Sequence, residues 1–201
     1  MAYLESAVVV YLRAIYYPSG FDFPLAPMAP GMVAIEIGRE AATLIMLLGV
    51  AALAGTDRWE RFLMFCLSFG VWDIFYYAWL WIVLRWPPSL FTWDVLFLIP
   101  APWIGPVLAP LLVSVALVGG ARLMLRLKAQ GVRLGFSTIV WILAVTGGLL
   151  VLGSFVLDVS SVLRQMAPSP FHWGMFSTGF GLAMTALGLG IWQLEHSSVA
   201  A

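Results

Sequence analysis

Very little of this chain is charged. Of 201 residues, 10 are Lys or Arg and 10 are Asp or Glu, one residue in ten, where a soluble domain carries about 25%. The formal net charge is zero, so no basic surplus exists for nucleic acid, which is not expected as a partner. A single cysteine, Cys66, excludes an intramolecular disulfide. The two histidines, His172 and His196, stand at opposite ends of one apolar segment. On a helix they would be about 36 Å apart, too far for an intrachain bis-histidine haem. No Glu-x-x-His pair, H-E-x-x-H zinc signature, G-x-S-x-G elbow, Walker A loop or dinucleotide-binding glycine fingerprint occurs. The N-terminus lacks a basic region followed by an apolar run and a cleavage site, so no cleaved signal peptide is expected. No motif names a substrate, a reaction or a cofactor.

What the chain has instead is apolar length, 62% of its residues. Five spans are expected over Met32–Ala54, Trp59–Leu84, Gly105–Leu127, Phe136–Val159 and Phe171–Leu194. The fold class is therefore all-α, a polytopic membrane protein with one integral membrane domain over residues 1–201. Residues 1–30 form an interfacial helix and loop, and residues 31–201 the helical bundle. Ala2–Tyr17 is too short and too polar at its ends to span, so it is placed in the interface. Prolines at 18, 24, 27 and 30 make the following segment a loop, with Pro30 suited to begin a helix. Pro87–Trp103 is bracketed by prolines and too short to cross. A short interfacial or re-entrant helical hairpin, sheltered by other helices, is expected there.

Arginine and lysine set the orientation. Arg122, Arg126, Lys128 and Arg133 fall in one loop region and Arg58 and Arg61 in another, against Arg13, Arg85 and Arg164 on the other side. The positive-inside rule then puts the N-terminus outside and the C-terminus in the cytoplasm, in a bacterial inner membrane. Trp79, Trp81, Trp86, Trp93, Trp103 and Trp173 gather near the outer boundary, and Trp59 and Trp192 mark the inner one.

The scarce charges are concentrated within the spans. The charge-free part of the first span, Ala41–Ala54, is shorter than the about 20 residues that crossing requires. The span must therefore draw in Glu36, Arg39 and Glu40, and the second carries Asp73 near its midpoint. Measured by helical rise from the cytoplasmic ends, Glu40 lies about 22 Å and Asp73 about 18 Å up antiparallel neighbours. Glu36 stacks one turn beyond Glu40. Tyr76 and Tyr77 share the face of Asp73, and Asp94 lies in the outer hairpin. The expected ion- or ligand-binding residues are thus Glu36, Arg39, Glu40, Asp73, Tyr76, Tyr77 and Asp94. Glu36, Glu40, Asp73 and His172 form a candidate metal set. One arginine cannot neutralise three carboxylates, so at least one acid should hold a proton or a cation. The plainer reading of Arg39 is a buried ion pair that fixes helix register. Gly119-Gly120, Gly147-Gly148 and spacings such as Gly179-x-x-x-Ala183 are read as helix packing.

Three functional readings follow. The first is an outward-facing buried carboxylate/arginine site that binds or moves an ion, a proton or a small polar ligand. The second is an intramembrane enzyme acting on a lipid- or quinone-like substrate, with the carboxylates as acid and base. The third is a non-catalytic subunit of a membrane complex. Expected partners are the lipid bilayer and a further membrane protein or a second copy of the chain.

Overall fold

The computed structural model describes residues 1–199, with side chains through His196. Its elements are α1 (Ala2–Tyr16), α2 (Pro30–Ala54), α3 (Arg58–Leu84), β1 (Trp93–Phe97), β2 (Trp103–Pro106), α4 (Leu108–Ala129), α5 (Thr138–Val156), α6 (Val159–Leu163) and α7 (Trp173–Val199). Five stretches are long and apolar enough to cross a membrane: α2, α3, α4, α5 continued through α6, and α7 as far as His196. They fit an integral membrane protein. Their faces away from the bundle are apolar and exposed, as at Ile45, Leu53, Ile82, Ile142 and Leu149. In water such a surface would be a liability; against lipid chains it costs nothing.

The helix boundaries have local causes. Pro30 occupies the first turn of α2, where its missing N–H removes no bond. The Asp57 carboxylate accepts from the N–H groups of Trp59 (2.8 Å) and Glu60 (3.0 Å) and so caps α3. Ser137 caps α5 by accepting from Val140. The short connection at 55–57 makes α2 and α3 antiparallel neighbours, and every later span reverses direction in turn. The bundle therefore has two ends. One carries the hairpin and the ends of α2, α3 and α4 at Pro30, Leu84 and Leu108. The other carries Ala54, Arg58, Ala129 and Thr138.

Packing pairs α2 with α3, α3 with α4, and α5 with α7; α4 and α7 join the two groups. A close backbone approach joins α5 and α7. A Cβ on Gly147 would meet the Gly179 carbonyl oxygen at 2.6 Å and the Ala183 nitrogen at 2.7 Å. The expected glycine packing is thus found here, and only hydrogen fits at Gly147.

The segment expected to be a short helical hairpin is a two-stranded antiparallel β-hairpin. Trp93 pairs with Pro106, Asp94 with Gly105, Val95 with Ile104, and Phe97 with Trp103, with an irregularity between Val95 and Phe97. The purely all-α expectation needs this correction. The cause is local: aromatic and β-branched residues favour the pleat, and Pro100 and Pro102 deny the turn its helical donors. The strands pair with each other, and Asp94 and Ile104 are buried within the protein, the shelter that non-helical backbone would need at membrane depth.

α1 forms over almost the range expected. It packs along α3: Tyr3 meets Trp79 edge-on, and Ser6 Oγ donates to the Tyr76 carbonyl at 3.0 Å. Its buried residues are Ser6 and Arg13, so its polar groups point into the protein.

The Gly147 contact yields a direct test. Gly147→Leu is expected to destabilise the α5–α7 pair by at least the about 1–3 kcal/mol of an overpacked core, because the obstruction is backbone. Gly148→Leu, whose Cβ meets nothing within 4 Å, should unfold near the wild-type temperature. Thermal unfolding of lipid-stripped protein in detergent compares the two. Equal losses would show that the close approach does not decide this packing.

Candidate functional site

The buried face of α2 is Glu36, Glu40, Thr43, Leu47 and Ala51. These positions recur every three or four residues, so they form one stripe. Toward the hairpin end the stripe is polar, and beyond Thr43 it is apolar. The charged residues that the span must include therefore point at α1, α3 and the hairpin.

Arg39 lies beside this stripe and is the hub. Its Nε donates to Glu36 Oε2 at 2.8 Å, the i,i+3 pair of a helix turn. Its Nη1 reaches the Glu5 carboxylate on α1. Glu5 also accepts from Thr43 Oγ1 at 3.0 Å. One guanidinium thus holds two carboxylates and fastens α1 to α2.

Glu40 and Asp73 take neutral donors instead. Glu40 Oε2 accepts from the Leu98 N–H at the hairpin turn, 2.8 Å away. Leu98 is therefore held at the level of Glu40, roughly 15 Å into α2 from its Pro30 end. Asp73 Oδ2 accepts from Ser114 Oγ of α4 at 2.8 Å. Gly70, one turn earlier on α3, makes this possible: a Cβ there would lie 2.7 Å from the Ser114 carbonyl oxygen.

These groups border a cavity of about 50 Å³ lined by Glu5, Arg39, Glu40, Trp72, Asp73, Tyr76, Tyr77 and residues 95–97 of β1. In its wall, the buried Trp72 Nε1 has no hydrogen-bond partner. A second polar link leads away from it. Tyr77 Oη donates to Asp94 Oδ2 at 3.2 Å, and Asp94 Oδ1 pairs with Arg13 Nη2 at 3.3 Å. The Arg13 guanidinium lies 3.6 Å from the Trp86 ring centroid and 4.5 Å from that of Phe21, so its buried charge is met by carboxylate and π-faces together. Burial pushes the Asp94 carboxyl up to about 6, with Arg13 pulling the other way.

Of the residues expected from sequence, Arg39, Glu40, Asp73, Tyr76 and Tyr77 border one cavity. Glu36 reaches it through Arg39, and Asp94 through Tyr77. Arg39 contacts Glu36 and Glu5 rather than Asp73. His172 is elsewhere, its Nε2 3.5 Å from Asp158 Oδ2. Among the described residues no three His, Cys, Asp or Glu side chains converge on a metal position, so Glu36, Glu40, Asp73 and His172 are not assembled as a set. Sequence reasoning missed Glu5, Arg13, Thr43 and Ser114. For the first two a signal existed: eight residues apart, they lie on the same side of an otherwise apolar helix. Ser114 carries no such signal, since a lone serine in a span reads as ordinary packing. Comparison with protein-family models, with curated proteins and with solved structures returns no match for this chain.

Two outcomes follow from this geometry. Arg39→Met leaves two buried carboxylates without their cation and is expected to cost about 3–5 kcal/mol. Adding Glu5→Gln and Glu36→Gln should recover most of that loss in thermal unfolding; no recovery would show that Arg39 acts by packing alone. The second concerns pH. Because folding raises the Asp94 carboxyl from 3.8 to about 6, its contribution to stability is full below pH 3.8 and is lost as pH rises through about 6. Asp94→Asn should therefore flatten the stability profile between those values. An unchanged slope would overturn the assignment.

Proposed function

We propose that this membrane protein takes up a proton or a small cation at the cavity between Glu40 and Asp73, and that its activity depends on that occupancy. The observation that carries the reading is the distribution of charge. Arg39 is engaged by Glu5 and Glu36, while Glu40 and Asp73 accept only from neutral donors. Two further carboxylates beside one cavity, sharing its single lining guanidinium, Arg39, with Glu5 and Glu36, are costly as a pair of anions. A shared proton or a bound cation removes that cost. The size of the space supports the same choice. About 50 Å³ admits a water or two, and no organic substrate. Ionisable groups at membrane depth are read as functional by default.

In this reading Glu40 and Asp73 are the working acids. Arg39 holds the local field, and Tyr76, Tyr77 and Trp72 supply the polar rim. The hairpin end faces outward in a bacterial inner membrane and the arginine-rich end faces the cytoplasm, with the N-terminus outside and the C-terminus inside. The exposed Arg58, Arg61, Arg122, Arg126 and Arg133 support that orientation. The reading of an enzyme acting on lipid gains less support: the substrate-sized apolar cavity, between α3, α4, α5 and α7, carries no acid in its wall.

The test is infrared spectroscopy of the protein in liposomes as pH is stepped. A protonated-carboxyl C=O band is expected at neutral pH, or one that disappears as sodium or another small cation is added. Asp73→Asn and Glu40→Gln should each remove it while the helical circular dichroism is retained. The reading fails if wild-type protein shows no such band and binds no radiolabelled cation. A C-terminal reporter active only in the periplasm would overturn the orientation.

A further inference from the structure

A second cavity lies on the other side of the α3–α4 pair. Its volume is about 350 Å³, and its wall is formed by α3, α4, α5 and α7, with Leu63, Ala116, Met124, Ala144, Gly148 and Met184 among its residues. That volume falls in the range of small-molecule sites. No charged side chain contributes to the wall, and Cys66 is its most polar member. The cavity exists because several positions are small: a Cβ on Gly148 would meet nothing within 4 Å. Left empty, such a space forfeits dispersion contacts along its whole lining. The occupant must be apolar over most of its length.

The end of the cavity says more. Trp59 stacks on Trp141 at 6.2 Å, and Phe136 meets both rings edge-on. This aromatic group is of the kind that sits at headgroup level. Cations flank it. Arg58 lies four residues before Phe62 and hence on the face of a cavity residue, and Arg133 lies three residues before Phe136. Both are exposed. Lys128, the neighbouring cation, is already engaged by Asp57 and Glu60. An apolar slot ending at aromatic rings and available arginines matches a chain attached to a phosphate.

We propose that this cavity binds an anionic phospholipid from the leaflet at the arginine-rich end, its acyl chain between the helices and its phosphate against Arg58 and Arg133. The site shares no residue with the cavity at Asp73, so the two readings stand or fall separately.

The experiment uses the full chain, stripped of lipid in detergent and offered phosphatidylglycerol or phosphatidylcholine of identical chains. Bound lipid is read by native mass spectrometry and by the unfolding temperature. Phosphatidylglycerol should be retained as a defined adduct and raise the unfolding temperature more than phosphatidylcholine does. Ala144→Phe and Gly148→Leu fill the slot and should lose the adduct with either lipid. Arg58→Gln with Arg133→Gln should abolish the preference for phosphatidylglycerol and leave residual binding of both. Because these two arginines are exposed, that variant tests the headgroup contact without touching the core. Equal retention of the two lipids by wild-type protein overturns the proposal. So does a phosphatidylglycerol adduct that survives in both slot-filling variants.

Discussion

A half-buried guanidinium among apolar helices needs carboxylates, and Arg39 binds two of them, Glu36 on its own helix and Glu5 on α1. Much of the hairpin end of the bundle depends on this arrangement. It draws α1 against α2 and α3, where Ser6 can donate to the Tyr76 carbonyl. It leaves Glu40 and Asp73 without a hydrogen bond to Arg39. Glu40 and Asp73 must then find hydrogen-bond donors elsewhere, and each recruits one from a different element: the Leu98 N–H of the hairpin and the Ser114 hydroxyl of α4. The polar cavity is what remains where α1, α2, α3 and the hairpin meet. Replacing the network with apolar side chains could be neutral or stabilising, so stability alone does not account for so many charges in one place.

The hairpin faces the same constraint through its backbone. A strand at membrane depth is tolerable only if its N–H and C=O groups are satisfied and sheltered from lipid. β1 and β2 satisfy each other along the ladder, and the Leu98 N–H, beyond the ladder, goes to Glu40. Aromatic contacts shelter the turn side: Phe97 stacks on Phe69 at 6.4 Å and meets Trp72 edge-on at 6.0 Å. At the other end of β1, Asp94 is anchored by Tyr77 and Arg13. Acidic groups from two elements thus fix the hairpin at both ends, and one of them, Glu40, is also a wall of the cavity.

The parts legible in the sequence are those governed by length and period. Spans are long apolar runs, so all five were readable to within a few residues. Glu36, Glu40 and Arg39 were readable as a group because charge inside such a run is costly wherever it points. That the hairpin pairs as strands was not readable: Val95–Ile99 is too short for periodicity to separate strand from helix. The partners of the charges were not readable either. Depth arithmetic put Arg39, Glu40 and Asp73 at one level, but it carries no rotation about the helix axis. It could not show that Arg39 turns toward α1 while Asp73 turns toward Ser114. Glu5 and Arg13, in a segment whose polarity suggests only an interfacial helix, are the counter-charges of Arg39 and Asp94.

The two cavities divide the molecule by chemistry, and α3 with α4 is the partition. On one side α1, α2, α3 and the hairpin enclose carboxylates and phenols; on the other α3, α4, α5 and α7 enclose only apolar side chains. The seam between α3 and α4 is closed where Gly70 lies against the Ser114 backbone, leaving no room for a Cβ. That same contact sets Ser114 Oγ on Asp73. On the proposed reading, a proton or cation at Asp73 therefore meets this close contact on the side of α5 and α7, and the cavity beyond it has no carboxylate in its wall. On the hairpin side a polar line runs instead from Tyr77 to Asp94 and Arg13. On the proposed reading the acids are therefore gathered on one side of the α3–α4 pair, and Gly70 is the position whose close contact keeps Ser114 on Asp73.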